Sequence, residues 1–60
     1  QGRYVEAESH YQQALILTQQ LFSDEHPDIA SILNNLGHLC DLQGRYVEAE
    51  SHYQQALILT

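Results

Sequence analysis

From Tyr4 onward the apolar and small residues advance as Tyr4, Ala7, Tyr11, Ala14, Leu15, Thr18 and Leu21. Steps of three and four keep these positions on one stripe of a 3.6-residue helix, so the pattern predicts a helix over about Arg3 to Phe22. Glu6 and Glu8 fall in its early turns, where the helix dipole favours negative charge. Ser23, Asp24, Glu25 and His26 break the stripe ahead of Pro27. A second stripe runs Ile29, Ile32, Leu33, Leu36, Leu39 and Cys40. It predicts a helix starting at Pro27 or Asp28, since a first-turn proline lacks only an N–H that would be unpaired there anyway. Gly44 follows the last apolar turn, the usual place of a left-handed C-terminal cap. From about Arg45 the first stripe returns. Nothing alternates with strand periodicity, so the expected fold is all-α: helix, turn, helix, turn, helix.

The return is literal. Residues 1–18, QGRYVEAESHYQQALILT, recur letter for letter as residues 43–60, a period of 42. Self-similarity at that period is the mark of a solenoid, a stack of near-identical units. Eighteen unchanged positions point to a recent, homogenised or designed duplication. The copy ends at Thr60, inside a stripe that continues beyond its equivalent Thr18 to Phe22, so about one and a half units of a longer array are expected. A chain of this length buries only about 60% of its unfolded surface. Cys40 stands alone, so no disulfide assists, and no cluster of ligands suggests a structural metal. Stability is therefore expected to come from stacking on further repeats, in the same protein or in other copies of the chain.

Read from Leu33, the sequence places Leu33, Leu36, Gly37, Cys40, Gly44, Tyr46, Ala49, Tyr53 and Ala56 in order, and Gly2, Tyr4, Ala7, Tyr11 and Ala14 repeat its second half. This resembles the tetratricopeptide repeat, with Pro27 in the place of the family's late proline. HPDIASILNNLG followed by QGRYVEAESHYQQALIL is similar to the 42-residue form found in kinesin light chains and in the repeat tails of many signalling ATPase receptors. It departs at Cys40, usually Tyr, and at Ser23, often Gly. The resemblance implies an α-solenoid of antiparallel helix pairs. Residues 1–26 would be the outer helix and turn of one unit, and 27–60 the inner helix, turn and truncated outer helix of the next. The small residues Ala7, Ala14, Gly37, Ala49 and Ala56 suit close helix approach, with Tyr4, Tyr11, Tyr46 and Tyr53 filling the space beside them.

In this family the inner helix lines a groove that holds peptides. Here that helix carries Ser31, Asn34, Asn35, His38 and Asp41 opposite its apolar stripe, and Asn34, His38 and Asp41, four and three apart, share a face. Carboxamides donate and accept, which suits a peptide backbone, and Asn34 and His38 are the leading candidates. The lysine–arginine clamp that some members close on a C-terminal carboxylate is not expected, because the chain has no lysine and Arg3 and Arg45 lie in turns.

Charge narrows the partners. Two basic residues against eight acidic give −6, which disfavours nucleic acid and anionic membranes and favours a neutral or basic peptide or protein. No cofactor is called for: there is no glycine-rich phosphate loop, and Glu6–His10 and Glu48–His52 are two-ligand pairs lacking a third. Cys40 and His38, two apart, diverge on a helix and cannot form a nucleophile–base pair, so no enzyme is expected. A lone thiol fits a reducing, cytoplasmic location. The expected function is a non-enzymatic protein-interaction scaffold. Its alternatives are a self-associating or designed repeat that builds an oligomer or filament, and, by family analogy alone, the sensor tail of a signalling ATPase receptor.

Overall fold

The computed structural model describes residues 2–23 and 26–59. Asp24 and Glu25, read above as part of the first turn, and Thr60 lie outside the described residues. Among the described residues three helices follow in order: α1 Gly2–Leu21, α2 Pro27–Leu42 and α3 Tyr46–Leu59. Among the described residues there is no strand. The bounds fall within a residue or so of those the periodicity predicts. Phe22 is outside α1, although its N–H still donates to the Thr18 carbonyl at 2.9 Å.

Each junction has a local cause. Pro27 opens α2, and the extended His26 caps it: the ring Nδ1 accepts from the Asp28 N–H at 3.1 Å, while the ring packs on Phe22 with centroids 4.4 Å apart. At the other end Gly44 takes φ +76°. The Arg45 N–H then reaches the Cys40 carbonyl at 2.8 Å and the Gly44 N–H the Asp41 carbonyl at 3.1 Å. These two bonds make a Schellman cap, and the three-residue turn folds α3 back along α2 as a hairpin.

The core is built on α2. Ile29, Ala30, Leu33, Leu36, Gly37, Leu39 and Cys40 are all buried there, α3 adds Ala49 and Ala56, and α1 contributes no buried residue. Leu15 of α1 and Leu59 of α3 close over Ile29, Ala30, Leu33 and Ala56. Helix α2 thus lies between α1 and α3, packing against both. The α2–α3 contact is close because of Gly37: a β-carbon there would sit 2.8 Å from the Tyr53 ring. With Cα extents of 31 × 21 × 12 Å the chain is a thin slab, so most side chains outside α2 keep one side in solvent.

The two copies of the repeated sequence occupy different surroundings. In α1, Tyr4, Glu8, Tyr11 and Leu15 are half-buried. In α3 the equivalents of Tyr4, Glu8 and Leu15, namely Tyr46, Glu50 and Leu57, are exposed, Tyr46 at 68% and Leu57 at 76%, whereas Tyr53 stays half-buried like Tyr11. Conversely Ala49 and Ala56 are buried and His52 and Leu59 half-buried in α3, while His10 and Leu17 of α1 are exposed. Helix α2 is therefore gripped by one face of α1 and by a neighbouring face of α3. This corrects the expectation that every tyrosine of the stripe is packed: Tyr46 lies on the face that α2 covers only in the other copy.

Candidate functional site

The helical turn of α2 sorts its residues cleanly. Ser31, Asn34, Asn35 and His38 are all exposed on the arc opposite the buried stripe, as their spacing predicts. Asp41, expected with them, is half-buried instead, because its Oδ2 accepts a hydrogen bond from the Tyr53 hydroxyl at 3.1 Å. Asp41 therefore fixes Tyr53 against Gly37 at the border of the strip rather than standing free on it. Burial, followed by this hydrogen bond, pushes the Tyr53 phenol above its ordinary range.

Two features of the strip were not anticipated. Leu42 is 50% exposed and, four residues beyond His38, gives the polar strip an apolar end. That spacing was readable, but a leucine near a helix end is naturally assigned to the core. Leu42 also lines a depression of about 370 Å³ with Tyr4, Val5 and Gln43, so residues of α1 flank the strip. On the opposite flank Asn34, Tyr53, Ala56 and Leu57 line a hollow of about 300 Å³. Tyr4 thus lies near the Leu42 end of the strip, and Tyr53 lies beside Asn34.

Charge is organised away from the strip. The Arg45 guanidinium donates from Nη1 to both Glu8 oxygens, at 3.1 and 3.0 Å, and from Nε to Glu48 Oε1 at 3.1 Å, with Nη2 also on Glu48. It therefore ties α1 to the start of α3. The Glu8 side chain is only 16% exposed in this pair, so its role goes beyond the helix-dipole effect expected of it. The hydrogen bonds to Glu48 and Glu8 raise the Arg45 pKa, and the same contact holds the Glu48 carboxyl below its ordinary range. Arg45 is thus committed to carboxylates of its own chain, and the α2 strip is left without a cation. His52 lies at this junction too, its Nδ1 buried without a hydrogen-bond partner among the described residues.

Cys40 is fully buried, and burial pushes its thiol upward, opposite to the shift that activates a nucleophile. Glu48 of the Glu48–His52 pair is taken up by Arg45. Among the described residues no helix is long and apolar enough to cross a membrane. A family model described as tetratricopeptide repeat matches residues 1–57. No curated protein and no solved structure matches the chain.

Proposed function

The chain belongs to the tetratricopeptide repeat family, and we propose that it serves as a protein-interaction module whose exposed α2 strip holds an extended peptide. Repeats of this family generally mediate protein–protein interaction and are typically non-enzymatic. The observation that carries the reading is the strip itself. Helix α2 supplies most of the core, yet keeps Ser31, Asn34, Asn35 and His38 in solvent, with Tyr53 beside Asn34 and Tyr4 near the Leu42 end.

Asn34 and Asn35 offer donors and acceptors to a peptide backbone, His38 adds a ring, and Leu42 offers an apolar contact. The chain's net charge of −6 favours a neutral or basic peptide, and the commitment of Arg45 to Glu8 and Glu48 disfavours capture of a free carboxylate. A cytoplasmic setting accords with the single buried thiol.

The test is a peptide array spanning acidic, neutral and basic sequences, followed by titration of any hit against Asn34→Ala and His38→Ala chains. Loss of affinity with unchanged helicity is the expected result. Affinity that survives both changes would remove the strip from the reading.

A further inference from the structure

We propose that the open face of α3 docks the α2 helix of a second copy of this chain, which releases its own α1 in exchange. This goes beyond the peptide strip and does not depend on it. The argument starts from the duplication. Residues 1–18 and 43–60 are identical, so whatever covers a face of α1 is chemically suited to the same face of α3. The structure supplies the occupant: α2 covers the Tyr4, Glu8, Tyr11 and Leu15 face of α1, and its core closes under Leu15. In α3 the equivalent face presents Tyr46, Glu50 and Leu57 to solvent, while its fourth member, Tyr53, is half-buried against Gly37 of the same chain.

The second-copy docking is not an even trade for the α1 that leaves. Helix α1 grips α2 with no fully buried residue of its own. The open face of α3, by contrast, is one wall of a two-helix cradle. Asp41 of α2 with Tyr46, Glu50, Tyr53, Gln54 and Leu57 of α3 line a depression of about 370 Å³, and Asn34 of α2 belongs to the adjoining hollow. A helix seated there meets two helices where α1 offers one: Tyr46, Tyr53 and Leu57 of α3 supply the apolar contact, and Asp41 and Asn34 of α2 add polar ones. Ser31, Asn35 and His38 line neither depression.

Charge fixes the register. In the single chain Arg45, in the turn ahead of α3, pairs with Glu8 of α1. The equivalent Glu50 has no ion-pair partner among the described residues. In the docked pair Glu50 takes the place of Glu8 against the second copy's arginine, whose bond to its own Glu48 is retained. Each docked copy presents its own open α3, so the contact is heterologous and propagates head to tail.

Identical repeat positions must then respond in opposite ways. The experiment is mass against concentration by sedimentation equilibrium, with helicity monitored by circular dichroism, on the full chain and on Glu50→Arg and Glu8→Arg. The parent chain should gain mass with concentration. Glu50→Arg sets two cations together in the docked pair alone, and should shift association to about tenfold higher concentration without loss of helicity. Glu8→Arg removes the bond that holds α1 to the turn between α2 and α3 within the chain and should shift association to lower concentration. If either arginine chain loses helicity, Glu50→Gln and Glu8→Gln should show the same opposition at smaller amplitude. A chain monomeric at every concentration overturns the proposal, as do two variants that move association in the same direction. A chain that stays monomeric yet binds a synthetic peptide of residues 26–45 would assign the face to an adjoining repeat and equally overturn the exchange.

Discussion

Gly44 and Gly37 carry constraints that differ in kind. At φ +76° a β-carbon at position 44 strains the backbone even though open space surrounds it. Gly44→Ala is expected to cost about 1 kcal/mol in denaturant unfolding. Gly37→Ala would gain helix propensity but drive the new methyl into the Tyr53 ring, so a smaller net loss, about 1 kcal/mol or less, is expected. The two are separated by Tyr53→Ala, which should make Gly37→Ala neutral or favourable and leave Gly44→Ala unchanged. Titration adds a second residue-scale test. Unfolded, the Cys40 thiol and Tyr53 phenol ionise near 9.0 and 10.0, whereas both hold their protons to higher pH in the fold, chiefly because burial disfavours the charged forms. Above pH 9 the folded chain therefore binds more protons than the unfolded one, and stability falls as pH rises. Cys40→Ala should flatten the earlier part of that limb. Glu48 acts in the opposite direction: held low by Arg45, it contributes stability above its ordinary 4.5, lost as pH falls through the folded value. Gly44 and Pro27 were legible in the sequence because their backbone chemistry is local. The His26 cap was not, since histidine is an uncommon capping residue, and neither was the Glu8–Arg45 bond, whose partners stand 37 residues apart.

The unequal copies are the informative feature among the elements. Periodicity located all three helices, and it identified the stripe of α2 because that helix buries one face against two neighbours. It could not say which face of α1 or α3 is covered, because identical sequences carry identical stripes. The neighbour decides, and α2 touches the two copies on different sides. The candidate strip was legible for the same reason that the core was: Ser31, Asn34, Asn35 and His38 follow from the helical period once the buried side is known. Asp41 escaped, because its bond to Tyr53 depends on how the hairpin closes. Leu15→Ala and Leu57→Ala change the same repeat position and should behave differently. The first removes a side chain packed over Ile29, Ala30 and Leu33 and should cost about 1–2 kcal/mol. The second alters a side chain 76% exposed and should stay within about 0.5 kcal/mol in the dilute chain. Chemical denaturation at low concentration reads both, and equal losses would contradict the asymmetry.

At the scale of the whole molecule, a slab 12 Å thick with its apolar density concentrated in α2 has little surface left to bury internally. The single chain leaves large apolar side chains of α3 exposed, Tyr46, Val47, Leu57 and Ile58. Because the repeat is exact, the chain can be continued in register by joining another copy of residues 19–60 after Thr60. The added unit brings an α2 sequence to the open face of α3 through the same spacing that already joins α1 to α2. Glu50 would then meet the new unit's arginine as Glu8 meets Arg45. Stability in such arrays is a sum of unit and nearest-neighbour interface terms, so each added interface adds to the total. The extended chain is expected to melt at least about 5 °C higher. Amide exchange in α3 is expected to be slower in the extended chain than in the present one, with the new terminal helix exchanging faster than α3. An unchanged melting temperature would mean that the covered face of α1 contributes little, and that α2 and α3 hold the fold as a hairpin alone.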